Sequence, residues 1–461
     1  MIRNKPSIIQ NNKETRSTKL LLNAIEKTFQ AIDPYKLIAN TISMTNSIMR
    51  IESLNKKSTS LDLSGFKGIY IIGAGKATAK MAKSLSDILG SKLTGGAITV
   101  PYDTRADRMN ILITKARHPI PDENAINGTN KILEVIQKSK YHDLIFVLIS
   151  GGASALLPMP YKGITISQKQ EITSKLLSAG ASIREINIVR KHISAVKGGR
   201  LAESFHNKRV VTLILSDVVH DPLDTIGSGP TVGDTSSFFD AKSVLSKYDL
   251  WYNNDIVPNS IRKIINRGIL GKIPETPNPS DPIFRRISNL LIGNNSIACQ
   301  KAMIFLNSKG VKTMHLGSDF IGTAKAFGIF LSSLTKFMPE CVPYAFILGG
   351  ETTVKLNSHK NGIGGRNQEA ALEAASNIKT WQNLDFTIAC FGTDGIDGNS
   401  NAAGALVTPT LLSRIRKKGR NMNEYVKRHD SNSLFREFGS LIVTKRTGTN
   451  VNDVAIVCRI N

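Results

Sequence analysis

The sequence predicts an α/β protein of two domains, and three observations support this prediction. The length of 461 residues corresponds to two or three domains at roughly 100 to 200 residues each. Short apolar runs alternate with helical patterns from residue 68 onward, which is typical of strand–helix–strand units and a largely parallel sheet. The segment 271–282 holds four prolines and almost no large apolar side chains, which indicates a linker or an exposed crossing. We therefore predict domains at 1–275 and 284–461.

The predicted elements follow from the apolar spacing along the chain. Residues 19–54 predict two helices, and the second begins near Asp33 and Pro34, where Asp caps and Pro occupies the first turn. The helix predicted over 76–89 has one apolar face, formed by Ala77, Met81, Leu85 and Leu89. The predicted strands are 68–73, 96–100, 143–150, 210–216, 289–293, 344–350, 385–392 and 454–458.

The composition excludes several classes of protein. Apolar residues make up 41% of the chain, charged residues 21%, and the mean hydropathy is −0.10, which excludes disordered, collagen-like, mucin-like and coiled-coil proteins. The uncharged stretch 144–159 is interrupted by two glycines and a proline and is shorter than the roughly 18 apolar residues of a membrane span. The amino terminus lacks the apolar core of a secretory signal. We expect a cytoplasmic protein without a membrane partner.

The four cysteines are expected to be reduced, buried and inert. They stand far apart, without a CxxC pair or the spacing of zinc ligands, and this pattern fits a cytosolic chain. They are Cys299, Cys341, Cys390 and Cys458.

The charge of the chain is strongly positive, because 60 Lys and Arg exceed 36 Asp and Glu to give a formal +24. Such a field attracts nucleic acid, acidic membrane or small anions. The one dense cluster, at 413–420, lacks the aromatic, zinc-finger and basic-zipper patterns of nucleic-acid binding. We interpret this cluster as a solvated helix face and expect no nucleic-acid partner.

Two glycine-rich turns follow predicted strands in the first half of the chain. In IIGAGKATAK (71–80), Gly73 and Gly75 allow a phosphate to approach a helix amino terminus, with Lys76 at its mouth. SGGASALLP (150–158) repeats this arrangement at the carboxyl edge of the sheet, where phosphate or carboxylate ligands bind. The alternative is that the glycines only permit tight packing. The ligand-facing residues of the second turn are Ser150, Gly151, Gly152 and Ser154.

A cation-rich stretch, 187–202, is predicted to be helical. Its cationic groups repel one another, so a bound anion would relieve the repulsion; the alternative is a solvated face. We interpret His192 as a hydrogen-bonded structural residue. The five groups are Arg190, Lys191, His192, Lys197 and Arg200.

Two loops carry carboxylates that suit Mg²⁺, which prefers oxygen ligands and shares them with substrate phosphates. The first, 215–234, follows a predicted strand, and the second, 391–405, follows another. Carboxylates of the second loop are also candidates for accepting a substrate hydroxyl proton. The alternative is that all are helix caps and turn residues. The candidates are Asp217, Asp221 and Asp224 in the first loop and Asp394 and Asp397 in the second.

The second half also offers a carboxylate and an arginine beside predicted strands. Glu351 stands just past a strand, and Arg366 lies between a glycine-rich loop and a helix for which Asn367 is the expected cap. An arginine held in this way is a fixed fork for carboxylate or phosphate.

These motifs, in this order, resemble the glycerate 2-kinase family, which ends in a MOFRL domain and is often labelled hydroxypyruvate reductase. The resemblance covers about residues 18–460. The motifs are IIGAGKA, HPIPD, SGGASALL, RKHISAVKGGRLA, SDVVHDP with SGPTVGD, GGETTV, GGRNQE, GTDGIDG and TGTNVNDV.

The resemblance implies a Rossmann-like three-layer first domain, a smaller MOFRL-type α/β second domain and an active site in the cleft between them. It implies phosphorylation of D-glycerate to 2-phosphoglycerate with ATP and Mg²⁺. The family's catalytic lysine and arginine fall on Lys76 and Arg366. The sequence departs from the family pattern at His220, where Gly is usual, and at Asn399–Asn401, where the usual Pro-Thr-Asp would supply a carboxylate at Asn401.

The mechanism expected from these residues is phosphoryl transfer with Lys76 and Arg366 facing each other across the cleft. One of them contacts the transferred phosphate, and the other binds the glycerate carboxylate or phosphate. The assignment of these two roles to Lys76 and Arg366 is open. The Ser150–Ser154 loop, Lys191, Lys197 and Glu351 are expected at the nucleotide. Mg²⁺ is expected at one or more of Asp217, Asp221, Asp394 and Asp397.

Two other functions stay open at the sequence level. One is an NAD(P)H-dependent hydroxypyruvate reductase, although Thr78 replaces a glycine of the GxGxxG motif. The other is a non-catalytic protein that binds anions or nucleic acid, suggested by the charge of +24. The sequence also leaves open which carbon is phosphorylated, whether related hydroxy acids are substrates and whether the chain is a homodimer.

Overall fold

The computed structural model describes residues 1–55, 58–253, 256–339, 342–356, 362–379 and 386–460. The chain divides into two compact units, which we call the central unit, Pro34–Gly293, and the terminal unit, Met1–Asp33 with Asn294–Asn461. This division differs from the predicted boundaries at 275 and 284. The strand that ends at Gly293 pairs within the central sheet, and the long helix before Asp33 packs in the terminal unit.

The strands are numbered along the chain. They are β1 Ile42–Thr45, β2 Ile48–Ile51, β3 Thr59–Asp62, β4 Ile69–Ala74, β5 Gly95–Pro101, β6 Leu112–Ala116, β7 Leu144–Ser150, β8 Arg209–Leu215, β9 Ile287–Gly293, β10 Lys312–His315, β11 Phe320–Thr323, β12 Tyr344–Thr353, β13 Thr387–Gly392, β14 Gly404–Val407, β15 Leu441–Ile442 and β16 Asp453–Arg459.

The α-helices are numbered in the same way, and in the described part of the chain none is long and apolar enough to cross a membrane. They are α1 Lys5–Gln10, α2 Thr15–Ala31, α3 Pro34–Thr41, α4 Thr78–Leu89, α5 Glu123–Lys138, α6 Ala153–Leu156, α7 Ile166–Ser178, α8 Ile183–His192, α9 Arg200–Glu203, α10 Phe238–Lys247, α11 Asn259–Ile269, α12 Asn295–Asn307, α13 Ala324–Phe337, α14 Arg366–Asn377, α15 Pro409–Lys417, α16 Met422–Lys427 and α17 Ser431–Glu437.

The central unit is built on a six-stranded parallel sheet in the order β6-β5-β4-β7-β8-β9. Every residue of β7, LIFVLIS, is buried, as expected of a strand that is covered on both faces. All five strands predicted for this region are present within two residues of their predicted bounds, and β6 is an addition. The predicted face of α4 is buried as well.

Two predicted helical segments end earlier in the structure. The second amino-terminal helix stops at Thr41, and the chain continues into the antiparallel hairpin β1–β2. Asn46 turns this hairpin with φ 55, a left-handed conformation that Asn tolerates. The stretch 187–202 is helical up to His192 and again from Arg200, and the loop between these two helices contains Gly198 and Gly199 at φ 57 and 80. Positive φ values interrupt a right-handed helix.

The proline-rich segment 271–282 lies inside the central unit. The Thr276 hydroxyl donates to Asp234 at 3.1 Å, and the Asp234 amide donates to the Pro277 carbonyl at 2.8 Å. Most of its other residues are exposed. Proline removes backbone donors, and the segment forms an exposed crossing, which is one of the two predicted alternatives.

The terminal unit contains a mixed sheet in the order β10-β12-β16-β13-β14-β15, with β11 also paired to β12. Only β10 and β11 run parallel to β12, and the other pairs are antiparallel. The prediction of a largely parallel sheet therefore holds for the central unit alone. The loops 393–403 and 443–452 join strands without the helical crossover that parallel neighbours need.

The cysteines in the described part of the chain are buried and form no disulfide bonds, as predicted. Burial raises the pKa of the Cys299 thiol to about 12. Because the thiolate is the reactive form, this side chain is inert. Cys341 lies outside the described residues.

Gly73 tests whether the first glycine turn is built by packing. A Cβ at this position would lie 2.2 Å from the Leu148 carbonyl oxygen on the neighbouring strand. Since backbone cannot move aside, Gly73→Ala is expected to lower the free energy of unfolding by ~1–3 kcal/mol or more, measured by urea denaturation. Gly65→Ala is the matched control, because a Cβ there meets nothing within 4 Å. Equal midpoints for the two variants would contradict the packing role.

Candidate active site

The turn between β4 and α4 is held by its own hydrogen bonds. Gly75 has φ 142, and a Cβ on it would lie 2.1 Å from Ser150 Oγ. That hydroxyl accepts the Ala77 N–H at 3.1 Å, and the Lys76 N–H donates to the Gly151 carbonyl at 2.9 Å. The backbone donors expected to bind phosphate are therefore engaged within the protein. Gly73, Gly75 and Ser150 pack this turn against β7, and the chemistry available at the turn is that of the Lys76 side chain.

The loop after β7 brings Lys76 and His118 together. Gly152 has φ 85, and a Cβ on it would lie 2.9 Å from His118 Nε2 and 3.4 Å from Lys76 Cγ. Burial lowers the pKa of His118 to about 4, with a further contribution from the Lys76 ammonium. The imidazole is therefore neutral at neutral pH. Sequence reasoning did not place His118 in the site, although the HPIPD motif contains it.

Asp217 lies against the same loop. A Cβ on Gly151 would be 2.2 Å from Asp217 Oδ2, so only glycine allows this approach of the β8 loop to the β7 loop. Asp221 follows with φ 53, and its N–H donates to the Val218 carbonyl at 3.1 Å. The structure therefore brings Lys76, Gly151 and Asp217 together, which is the condition that the magnesium hypothesis for this loop requires.

The carboxylates of the central unit fit one particular kind of magnesium site. Within the described ranges, no group of three or more His, Cys, Asp or Glu is arranged to hold a metal ion. Mg²⁺ in phosphoryl-transfer sites usually keeps one or two carboxylates together with phosphate oxygens and water. Asp217, which is partly exposed beside the glycine loop, fits that kind of site.

Lys191, predicted to contact the cofactor, is already paired. Its Nζ lies 3.1 Å from Asp234 and 3.4 Å from Asp224. Burial raises the pKa of Asp234, but the Lys191 ammonium and hydrogen bonds from Ser236 outweigh it and leave that pKa below its usual value. The Lys191 charge is therefore matched inside the protein.

The other predicted groups of this stretch lie deeper. Lys197 is fully buried, and its Nζ donates to the Gly227 carbonyl at 3.2 Å. Ser154 Oγ lies 3.0 Å from Ser228 Oγ. His192 is buried, with Nδ1 2.8 Å from the Ile188 carbonyl, which agrees with its structural interpretation.

In the terminal unit, Arg366 begins α14 between two carboxylates. Its Nη1 lies 2.6 Å from Glu351 Oε1, and its Nε lies 2.6 Å from Asp453 Oδ2. The side chain is 29% exposed. Burial opposes the charge, but the two carboxylates outweigh it and raise the pKa of Arg366. The guanidinium is thus permanently charged and held in orientation, and Glu351 is part of its support.

Asp453 is a site residue that sequence reasoning missed. It begins β16 and is buried, and its Oδ1 accepts the Asn367 side-chain amide at 2.9 Å. Burial raises the pKa of Asp453 to about 7, against the effect of Arg366. The one sequence signal was its place in the TGTNVNDV motif, whose spacing does not show that it reaches Arg366.

Asp397 holds the start of α14. Its two oxygens accept the backbone and side-chain N–H groups of Asn367 and Gln368 at 2.8–3.2 Å. A Cβ on Gly365 would lie 2.4 Å from the Asp397 carboxyl carbon. Gly365, rather than the expected Asn367, is the residue at the helix cap. Because both Asp397 oxygens are engaged, the structure favours positioning of α14 over metal binding for this residue.

The rest of the DG loop supports the same region. Asp394 is partly exposed, and its Oδ1 accepts the Ile396 N–H at 3.1 Å. Asn399 Oδ1 accepts the Gly364 N–H at 2.9 Å. Asn399, which departs from the family pattern, therefore holds the glycine-rich loop before α14. Asn401 is exposed.

The basic cluster 413–420 contains the end of α15. Lys418 and Arg420 are exposed and pair with Glu437 at 2.8 and 2.9 Å. Arg414 donates to the Phe438 carbonyl at 3.0 Å. These contacts are those of a solvated helix face, as interpreted from the sequence.

The pKa of His118 tests the environment of Lys76. In the protein labelled at histidine, the His118 ring is expected to titrate by NMR near pH 4. Lys76→Met is expected to raise the midpoint but keep it below 6.5, since burial is the larger cause. The same shift lowers stability as pH falls from 6.5 towards 4, because only the unfolded state then binds the proton.

The matched control is Lys83→Met on the exposed side of α4, where Lys83 pairs with Asp87. It is expected to leave the His118 midpoint unchanged. A wild-type midpoint at 6.5 would contradict the packed Lys76–His118 arrangement.

Comparisons with known proteins agree over nearly the whole chain. Residues 20–266 match the family model described as a domain of unknown function (DUF4147), and residues 344–453 match the MOFRL family. The glycerate 2-kinase of Pyrococcus horikoshii is 37% identical over 94% of this chain and 96% of its own length. The human glycerate kinase is 31% identical over 85% of this chain and 84% of its own length.

A solved structure gives the same relationship. The crystal structure of glycerate kinase from Thermotoga maritima matches with a TM-score of 0.82 at 34% identity and covers 96% of this chain and 99% of that one. The predicted α/β fold class is confirmed. The chain therefore belongs to the glycerate 2-kinase family.

Proposed function

We propose that this chain is a kinase that uses ATP and Mg²⁺ to phosphorylate D-glycerate to 2-phosphoglycerate. The observation that carries the proposal is its 37% identity to a glycerate 2-kinase over 94% of the chain. The positions of Lys76 and Arg366 support it, because each combines a charged side chain with a prepared polar environment.

Lys76 supplies a positive charge beside the Gly151–Gly152 loop. The His118 imidazole next to it is neutral and adds no competing charge. Phosphoryl transfer depends on alignment and on neutralisation of the phosphate oxygens rather than on covalent help from the protein. We assign Lys76 to the transferred phosphate.

Arg366 supplies a planar pair of donors with its orientation set by Glu351 and Asp453. A fork of this kind matches the carboxylate of glycerate or an oxygen pair of phosphate. We assign it to the glycerate carboxylate, with Asp453 as a positioning residue. Asp394, which is partly exposed on the neighbouring loop, is our candidate for the acceptor of the hydroxyl proton.

Asp217 is our first candidate for holding Mg²⁺, and Asp221 and Asp394 stay candidates. When bound, Mg²⁺ neutralises phosphate charge and orients the phosphate chain. Gly151 lets the Asp217 carboxylate lie directly against the loop backbone, since a Cβ there would be 2.2 Å from Asp217 Oδ2.

The reductase alternative has less support. Dinucleotide binding places a pyrophosphate on free N–H groups at the first helix of the sheet. The N–H groups of Lys76 and Ala77 are bonded to Gly151 and Ser150 instead, and Thr78 is buried in contact with Ser150.

The two functions are distinguished by parallel assays. Coupled ADP release is measured with D-glycerate, ATP and Mg²⁺, and NADH and NADPH oxidation is measured with hydroxypyruvate. Product NMR then assigns the phosphate to a carbon. ADP release that depends on D-glycerate and yields 2-phosphoglycerate is the expected result. Reductant oxidation without ADP release would replace the proposal. The interdomain cleft, the cytoplasmic location and a homodimer remain predictions.

Lys76→Ala and Arg366→Ala are each expected to lower kcat/KM by about 10²-fold or more, as loss of a single preorganised donor does. The measurement is steady-state kinetics with D-glycerate and ATP varied in turn. The double variant is expected to lose less than the product of the two single losses if both groups act on one transition state.

The controls are Lys83→Ala and Arg420→Ala, which remove a partly exposed and an exposed cation, each paired with a carboxylate, and should retain activity. A folded Lys76→Ala or Arg366→Ala variant with nearly full activity would remove that residue from the mechanism. Losses that multiply fully in the double variant would argue against joint action.

A further inference from the structure

A cluster of three cations lies beneath the SGGASALLP loop of the central unit. We call it the cation pocket, and it consists of Lys169 on α7, Arg190 on α8 and Lys197 in the loop after α8. Lys169 is 5% exposed and Lys197 is 0% exposed, whereas Arg190 is partly exposed. The two lysines are therefore buried, and Arg190 is the member of the cluster that reaches solvent.

The three side chains converge on adjoining loops. Lys169 Nζ donates to the Pro158 carbonyl at 2.9 Å, and Arg190 Nη2 donates to the Ser154 carbonyl at 3.4 Å. Lys197 donates to the Gly227 carbonyl. The acceptors of Arg190 and Lys197 are neighbours, because Ser154 Oγ lies 3.0 Å from the hydroxyl of Ser228, the residue after Gly227. The acceptor of Lys169, Pro158, belongs to the same SGGASALLP loop as Ser154.

The pocket lacks a counter-charge of its own. Among the described residues, no carboxylate forms a salt bridge with any of the three cations, and their hydrogen bonds go to backbone carbonyls. Lys191, next to Arg190 in sequence, shows the contrast, because two carboxylates pair with it. Each lysine of the pocket thus keeps N–H donors beyond the single carbonyl that it contacts.

The electrostatics of the pocket favour an anion. Burial lowers the pKa values of Lys169 and Lys197 well below their usual range, and the Arg190 charge lowers both further. Lys169 is also the fourth residue of α7, where the helix dipole is positive and stabilises negative charge. A bound dianion would raise the pKa values of both lysines again, because it supplies the opposite charge in a place shielded from water.

We propose that Lys169, Arg190 and Lys197 form a binding pocket for a phosphate group, with the hydroxyls of Ser154 and Ser228 at its rim. Three cations match the charge and the several oxygens of a phosphate better than those of a single carboxylate. The phosphate belongs either to the nucleotide or to a separate phosphate compound. The inference does not depend on the kinase reaction.

The test uses sulfate and inorganic phosphate as probes of the full-length protein. Isothermal titration calorimetry measures the dissociation constant, and thermal unfolding measures the shift in Tm. Lys169→Met and Lys197→Met are each expected to weaken binding roughly 10–100-fold, as loss of a hydrogen bond to a charged group does. Without ligand, both variants are expected to unfold at or above the wild-type Tm, because an unpaired buried charge is replaced by an apolar side chain.

Lys208→Met is the matched control. Lys208 is also buried and donates to a single carbonyl, that of Ile136, at 3.1 Å. It precedes β8 and so lies at the opposite edge of the sheet from the pocket. Its removal is expected to leave the affinity for sulfate unchanged.

Competition identifies the source of the phosphate. Displacement of sulfate by ADP places the phosphate chain of the nucleotide in the pocket. Displacement by inorganic phosphate but not by ADP indicates a separate phosphate compound. Displacement by D-glycerate alone would overturn the phosphate assignment and make the pocket a carboxylate site.

Two further outcomes would overturn the proposal. One is the absence of saturable sulfate and phosphate binding to the wild type, and the other is wild-type affinity in Lys169→Met and Lys197→Met. If either outcome is found in a protein that phosphorylates D-glycerate, the pocket proposal is refuted and the proposed function stands. If the protein binds sulfate through these lysines but does not phosphorylate D-glycerate, the pocket proposal stands and the proposed function is refuted.

Discussion

The parallel sheet of the central unit places the carboxyl ends of its six strands along one edge. The candidate chemistry depends on how closely the loops at that edge approach one another. Lys76, Gly151 and Asp217 follow the adjacent strands β4, β7 and β8. The β7 loop can lie between its neighbours only because its two glycines carry no side chains. A Cβ on either one would collide with Asp217 or with His118. This close approach places a lysine and a carboxylate beside one loop, and a phosphate chain with Mg²⁺ requires both.

Buried charge is handled in two ways in this chain. Arg366 and Lys191 each lie between two carboxylates, which hold the side chain in one orientation and match its charge. The cation pocket has only carbonyl oxygens as partners. Carboxylates that match a charge hold its side chain in one orientation, which for Arg366 leaves further N–H groups of Nη1 and Nη2 for a ligand. The unmatched cations of the pocket instead lack any opposite charge until a ligand supplies it. The net charge of +24 thus says less about binding than the few cations that are buried without carboxylates.

Several residues that the motifs single out support the site rather than face a ligand. Ser150 was expected to bind an anion, yet its hydroxyl is used by the start of α4. Asp397 was a candidate metal ligand, yet its oxygens hold the start of α14. In both cases a polar side chain satisfies helix N–H groups that would otherwise be unpaired. A short motif contains residues that support the site and residues that face a ligand. Both kinds have polar or charged side chains, so the motif alone does not distinguish them.

The order of the residues was sufficient to predict the α/β class, eight of the strands, the family and the loops on which the charged groups lie. Periodic burial and the glycine turns are local properties, and they are visible along the chain. Contacts between distant segments were not predictable. Asp453 reaches Arg366 across 87 residues, and Lys169 joins Arg190 and Lys197 through the packing of α7 against α8. The partners of a buried charge depend on which segments pack together, and spacing along a single chain does not contain that information.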